Sequence, residues 1–275
     1  MTRLSLHHTG QCRHPEWSTR RDRSLRPCSF PMHAAVIDRG GDLTVFDPGY
    51  APRFMTATSP FPERLYRWMT PTDAPASSAL AAQLGDRRAA VTTVVISHFH
   101  ADHVAGLADF PQARIVCARG AWQHFRALSG FSAVRAGYLK SLIPDWVEDR
   151  LTFADDLPAR PLPPGFAPMR DGRDLHGDGS VLLMPLPGHS VGQMGAALTG
   201  ADGIPRLLIA DASWSVPALR DDAPPPGLTL RLIGSAAEFR ETWGRLRALM
   251  AQNPGTRLIA CHCAASAQGE ACGHP

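Results

Sequence analysis

The sequence predicts an α/β fold, and three observations carry that prediction. Short apolar runs alternate with helix-patterned segments in both halves of the 275-residue chain. Gly, Pro and Asp residues close nearly every run, as turns require. Polar side chains able to bind metal stand directly after strands or tight turns at four places: His98 to His103, His189, Asp211 and His262. The length allows one large core. Residues 32–275 are therefore read as a single domain, and residues 1–31, polar and without period, as an irregular N-terminal segment laid on it.

Composition removes several classes. An apolar fraction of 44% with 19% charged residues marks a folded, water-soluble chain. The net charge of +3 is too small to argue for nucleic acid. No apolar run approaches the roughly 18 residues of a membrane span, and the first residues lack the apolar stretch of a signal peptide. Six irregularly spaced cysteines in a chain of this size read as reduced thiols. Together these predict a cytoplasmic protein with a small-molecule substrate, no nucleic acid and no membrane. A homodimer stays open.

In chain order, residues 34–37 and 43–46 read as the arms of a hairpin around Gly40-Gly41, and Asp47-Pro48-Gly49 ends the second arm. Residues 59–71 form a short helix between prolines. Its Phe61, Tyr66 and Trp68 either pack on the core or wall a substrate site. Residues 77–84 form a second helix, stopped by Gly85. Residues 91–96 are β-branched and uncharged, a buried strand. Residues 114–118 form another strand, and 121–143 are helical but broken at Gly130 and Gly137. Residues 157–168 and 217–227 are proline-rich loops. Strands at 180–185 and 194–198 flank His189, and a strand at 207–210 ends at Asp211. Ser235 and Glu238 open a helix as a capping box, with Phe239, Trp243, Leu246 and Met250 on its buried face. Residues 257–260 form the last strand, ending at Cys261-His262-Cys263.

The chemistry concentrates at Ser97 to Gly106. His98, His100, Asp102 and His103 fall within six residues after a buried strand. Burying four polar side chains there costs several kcal/mol unless something satisfies them. A divalent ion does, since it takes imidazole nitrogen and carboxylate oxygen at about 2.0–2.2 Å. Adding His189, Asp211 and His262 makes seven N and O donors. Two adjacent ions sharing one carboxylate need such a set. Cys12, His14, Cys28 and His33 offer a structural zinc as an alternative to a plain N-terminal segment, although their spacing is not a common finger pattern. His7, His8, His124, His176 and His274 lack such context and read as surface residues.

The motif His98-Phe-His100-Ala-Asp102-His103, with Pro187-Gly188-His189-Ser190, Ala210-Asp211 and Cys261-His262, resembles the metallo-β-lactamase-fold hydrolase superfamily over roughly residues 32–265. The resemblance implies a four-layer αββα sandwich of two mixed sheets with the site at one edge. It implies that His98, His100 and His189 bind a first metal, that Asp102, His103 and His262 bind a second, and that Asp211 bridges them. Asp47 then supports the site from below. A hydroxide between the ions attacks the substrate, and Asp102 holds or receives its proton. Zinc is the default ion, with iron, manganese or cobalt also compatible.

Within that superfamily the chain is most similar to the N-acyl-homoserine lactonase-like branch. The bridging Asp211 speaks against β-lactamases, and His100 against the flavodiiron oxidoreductases, which carry glutamate in that motif. Two positions depart from the branch: Trp214 stands where a tyrosine is frequent, and Pro48 where threonine is common. The reading is a dinuclear metal-dependent hydrolase of a small ester, lactone or thioester, with Trp214, Phe61, Tyr66 and Trp68 on the substrate side. A phosphodiesterase on the same site, or a non-catalytic metal- or metabolite-binding regulator, is the alternative.

Overall fold

The apolar runs pair into two sheets. They are seen here in a computed structural model that describes residues 2–268 and 271–272. The first sheet holds β1 (Arg3–Pro15), β2 (Pro27–Asp38), β3 (Leu43–Phe46), β4 (Thr72–Asp73), β5 (Val91–Val95), β6 (Arg114–Cys117) and β7 (Leu151–Phe153). The second holds β8 (Ala159–Pro161), β9 (Asp171–Asp174), β10 (Val181–Pro185), β11 (Met194–Thr199), β12 (Pro205–Ala210) and β13 (Arg257–Ala260). A short β14 (Ala271–Cys272) lies parallel to β1 at the first sheet's edge. The strand orders are β14-β1-β2-β3-β5-β6-β7, with β4 on β1, and β13-β12-β11-β10-β9-β8. Both sheets are mixed: β3, β5, β6 and β7 run parallel beside the antiparallel β1–β2–β3, and β12 and β13 are the parallel pair of the second sheet.

Alternation along the strands sorts the core into three layers. Ala35, Ile37, Val95 and Val116 of the first sheet meet Val181, Leu183, Ala196, Leu208 and Ile259 of the second. The intervening residues face outward. Ala34, Val36, Val94 and Ile115 pack under Phe54, Leu80, Trp122 and Phe125. Leu182, Ala197, Leu207 and Leu258 pack under Leu230, Phe239, Trp243, Leu246 and Leu249. Strands buried on both faces read in the sequence as unbroken apolar runs. The result is the expected αββα sandwich. The long outer helix Ala236–Gln252 begins where expected, with the Ser235 hydroxyl accepting the Glu238 N–H at 3.4 Å. The helix Leu80–Leu84 stops at Gly85 with φ of 53°.

The N-terminal residues correct the sequence reading. They are not irregular: β1 pairs antiparallel with β2 from Arg3 opposite Asp38 to Pro15 opposite Pro27. The strand is hard to read because His7, His8, Gln11, Arg13 and His14 interrupt any apolar period, and a register shift between His8 and Gly10 breaks what alternation remains. Its hold on the domain is partly polar. The buried Thr9 hydroxyl donates to the Met32 carbonyl at 3.1 Å and accepts the Tyr50 N–H at 3.2 Å. The same ladder spreads the candidate zinc residues along the hairpin, with Cys12 opposite Phe30, His14 opposite Cys28, and His8 opposite His33. The expected helix at 59–71 is shorter, Arg64–Met69. The proline-rich 157–168 contributes the edge strand β8, and the polar β9 gave no apolar signal.

Candidate metal centre

Four strand ends converge at one edge of the sandwich. After β5 the chain turns at Ser97 and enters the short helix Ala101–Val104, which carries Asp102 and His103. His189 lies in the β10–β11 connection, Asp211 follows β12, and His262 follows β13. Two residues at this edge hold left-handed backbone, Asp47 at φ 54° and Ala210 at φ 46°. Non-glycine residues seldom do so, and such positions cluster at functional sites. Ala210 turns the chain at the end of β12, so that Asp211 points across the sheet edge.

Asp211 sits between two groups of donors. Its Oδ2 lies 3.0 Å from His189 Nε2 and 3.9 Å from His98 Nε2. Its Oδ1 lies 3.3 Å from His103 Nε2 and 3.5 Å from His262 Nε2. His100 Nδ1 is 2.9 Å from His189 Nε2. Asp102 Oδ2 is 3.2 Å from His262 Nε2 and 3.7 Å from His103 Nε2. In two sets, His98/His100/His189/Asp211 and His103/Asp211/Cys261/His262, the donor atoms all lie within 4.8 Å of one another. His98 Nε2 and His103 Nε2 are buried without a hydrogen-bond partner. An orphaned buried nitrogen costs about 1–3 kcal/mol, and a cation between these lone pairs removes that cost. The residues fit a metal centre.

Groups outside the cluster aim the imidazoles. Asp47, 1% exposed, accepts the Ser97 N–H at 2.8 Å, the Ser97 O–H at 2.6 Å and the His103 Nδ1–H at 2.8 Å. Because the Ser97 hydroxyl donates to Asp47, it accepts from His98 Nδ1 at 2.9 Å. Both rings therefore present a bare Nε2 to the centre, as a carboxylate behind a ligating histidine achieves. His262 Nδ1 donates to the Pro31 carbonyl at 2.7 Å, with the same effect. The expected supporting role of Asp47 thus has a geometry. Pro31, on the unforeseen hairpin, has an equivalent one.

Charge follows the same division. Burial, then the neighbouring imidazoles, push His98 well below its ordinary pKa, and burial and His189 take His100 down to about 3. Burial also opposes a proton on His103, but Asp211, Asp102 and Asp47 together outweigh it and raise its pKa. Burial is likewise overcome at His262, by Cys261 and Asp211. Burial opposes ionisation of Asp211 and Asp102, yet the surrounding histidines hold both below the usual carboxylate range. The pocket is built for positive charge at its centre.

The residues expected on the substrate side separate. Tyr66 reaches the site: its hydroxyl donates to Asp102 Oδ1 at 3.4 Å, and its ring stands edge-on to Phe54. Trp214 also reaches it, but its indole N–H is committed to Asp211 Oδ2 at 2.9 Å, and its ring meets His189 edge to face. Phe61 lies against Phe131 on the surface, and Trp68 is 66% exposed. Among the described residues, neither makes a contact to the metal cluster of the kind Tyr66 and Trp214 make. One residue at the cluster was not foreseen. The Cys261 thiol donates to Asp211 Oδ1 at 2.8 Å. Its adjacency to His262 was the available signal, but a cysteine ending a strand reads first as core.

A two-sheet sandwich with a histidine- and aspartate-rich edge defines a class of metal-dependent hydrolases. The metallo-β-lactamase superfamily domain matches residues 31–252, and the chain belongs to that superfamily. A probable metallo-hydrolase of Mycobacterium tuberculosis is 32% identical over 126 residues, which are 42% of this chain and 35% of that protein. The N-acyl homoserine lactonase AttM of Azorhizobium caulinodans is 25% identical over 181 residues, 65% of this chain and 60% of that one. The chain thus spans about a third to three-fifths of these relatives' lengths. Among solved structures, an N-acyl homoserine lactone hydrolase with N-hexanoyl-L-homoserine at its catalytic metal centre superposes with a TM-score of 0.73 at 15% identity, over 98% of this chain and 96% of that one. A mutant of B. thuringiensis AiiA with N-decanoyl-L-homoserine bound gives 0.72 at 15% identity, over 98% and 96%. No helix among the described residues is long and apolar enough to cross a membrane.

Proposed function

We propose that the protein is a dinuclear metal-dependent hydrolase of a small ester, lactone or thioester. The observation that carries this reading is the placement of Asp211, one carboxylate oxygen toward His98 and His189 and the other toward His103 and His262. His98, His100 and His189 would hold one ion, and Asp102, His103 and His262 the other, with zinc the first choice for this donor set. Bound there, the ions supply a hydroxide nucleophile and polarise the scissile carbonyl.

The chain's own groups do the rest. Asp102 keeps its carboxylate ionised beside His262 and takes up the nucleophile's proton. On substrate binding the Tyr66 hydroxyl would turn its single hydrogen bond from Asp102 Oδ1 to a substrate oxygen, the task a tyrosine at position 214 would perform in the lactonase-like branch. Trp214 holds Asp211 in place and covers His189. The lactonase names of the similar proteins support an acyl-lactone as the first substrate to try.

The test is a panel of N-acyl-homoserine lactones, aryl acetates, thioesters and bis-aryl phosphates offered to protein of measured metal content. Turnover of an ester, lactone or thioester that His103→Ala and Asp211→Ala abolish is the expected result. Tyr66→Phe should lower kcat/KM about 10- to 100-fold, the worth of one hydrogen bond to a charged oxygen, without changing metal content. Two bound ions with no turnover of these acyl compounds would overturn the reading. Bis-aryl phosphates turned over well above aryl acetates would replace it with a phosphodiesterase.

A further inference from the structure

We infer that Cys261 is a sulfur ligand of the second ion. The inference rests on the two-ion reading above and adds a donor to it. Cys261 directly follows β13, stands directly before His262, and is buried at 7% exposure. Its Sγ lies 2.8 Å from Asp211 Oδ1, the oxygen that also faces His103 Nε2 at 3.3 Å and His262 Nε2 at 3.5 Å. The four donor atoms lie within 4.8 Å of one another. An ion bonded to two imidazoles and this carboxylate oxygen therefore has the sulfur inside its reach, since zinc–sulfur bonds run about 2.3 Å.

A second observation points to a ligand at the same place. His103 Nε2 is fully buried, has no hydrogen-bond partner, and belongs to the same four-donor set. The Cys261 thiol meanwhile donates to the carboxylate assigned to the ions. The backbone leaves the side chain little alternative. The Cys261 carbonyl accepts the His33 N–H at 3.0 Å and is 3.0 Å from His33 Nδ1, pinning the strand end to β2.

On binding, the S–H bond breaks, a sulfur–metal bond forms, and the proton leaves to solvent. Asp102 stays beside the ion, anchored through Oδ1 by Tyr66. A thiolate makes this second position softer than the all-N/O position formed by His98, His100 and His189, and it favours zinc or cobalt over manganese there.

The experiment uses the full chain loaded with two equivalents of zinc or cobalt, the loading fixed by elemental analysis. X-ray absorption at the zinc edge should show a sulfur shell near about 2.3 Å beside the shorter nitrogen and oxygen shell. It should amount to one sulfur per two zincs. The cobalt form should show a sulfur-to-cobalt charge-transfer band in the near ultraviolet. Cys261→Ser should lose shell and band, while Cys12→Ser and Cys263→Ser keep them. Because the wild-type spectra decide alone, the inference survives a Cys261→Ser protein that does not fold. Two bound ions with no sulfur shell overturn this inference and leave the hydrolase reading standing, and a signal lost in Cys12→Ser or Cys263→Ser but kept in Cys261→Ser overturns it too. Failure to bind two ions overturns both.

Discussion

Replacing Asp47 with asparagine separates the aiming of the ligands from the ligands themselves. Asp47 touches no expected ion, yet its two oxygens receive Ser97 N–H, Ser97 O–H and His103 Nδ1–H at 2.6–2.8 Å. In Asp47→Asn the remaining carbonyl still accepts the Ser97 amide. The new NH2 faces the Ser97 hydroxyl and His103 Nδ1, so both must become acceptors. His103 then carries its proton on Nε2, and Ser97, its hydroxyl turned, donates to His98 Nδ1 and moves that ring's proton to Nε2 as well. Two imidazoles would point N–H groups at the ions. Loss of such a supporting carboxylate costs about 10- to 100-fold in metal affinity, or roughly 1.4–2.8 kcal/mol per ion at 1.4 kcal/mol per tenfold. The shape is nearly conserved, so the metal-free melting temperature should move by only a few degrees. Competition against a chromophoric chelator reads both affinities. Wild-type affinities for both ions in Asp47→Asn would refute the reasoning, because the tautomers would then not depend on this carboxylate.

Four further outcomes are expected. Trp214→Phe keeps a ring against His189 but removes the N–H from Asp211 Oδ2. A hydrogen bond to a charged group is worth about 1.5–3 kcal/mol, so ion affinity should fall at least about tenfold in the same chelator assay. Gly137→Ala puts a Cβ 2.6 Å from His100 Cδ2 at a φ of 77°. It should lower the melting temperature and weaken the first ion. Gly120→Ala, in the helix Arg119–Ala127 with nothing within 4 Å of the new carbon, should be neutral or stabilise by up to about 1 kcal/mol. The fourth concerns protons. His103 and His262 have pKa values raised above the ordinary 6.5, so without metal they are protonated over a range extending above that pH. An imidazole must lose that proton to bind metal. Metal added at pH 7 in weak buffer should therefore release protons, detected with an indicator dye, and affinity should fall as the pH is lowered.

Most of the site was legible because its chemistry is dense and sits where strands end. His98 to His103 announce themselves by spacing, and His189, Asp211 and His262 by following short apolar runs. The doubly buried strands β5, β10, β12 and β13 were legible for the same reason, since burial on both faces leaves an unbroken apolar signature. Other parts gave no such signal. β1 and β9 are held by backbone ladders that polar residues join as well as apolar ones. The hydrogen bonds of Tyr66 and Trp214 depend on where a short helix and a turn fold back, which side-chain type alone does not set. Phe61 and Trp68 share Tyr66's segment and its aromatic character, yet only Tyr66 reaches Asp102.

The N-terminal hairpin shows how far the candidate centre reaches beyond its proposed ligands. The superfamily match begins at residue 31, so β1 lies outside it. β1 nonetheless pairs along the length of β2, and β2 presents the Pro31 carbonyl to His262 and the His33 N–H to the Cys261 carbonyl. β13 runs parallel to β12 in the other sheet. The contacts from Pro31 and His33 therefore tie the last strand end of the second sheet to the first sheet at the metal edge. Separating the sheets there would carry His262 and Cys261 away from His103 while leaving His98, His100 and His103 on their own turn after β5. By this geometry the position shared by His103 and His262 depends on the hairpin, and the one formed by His98, His100 and His189 depends on the β10–β11 connection. Asp211, reaching both sets, makes the two dependent on each other.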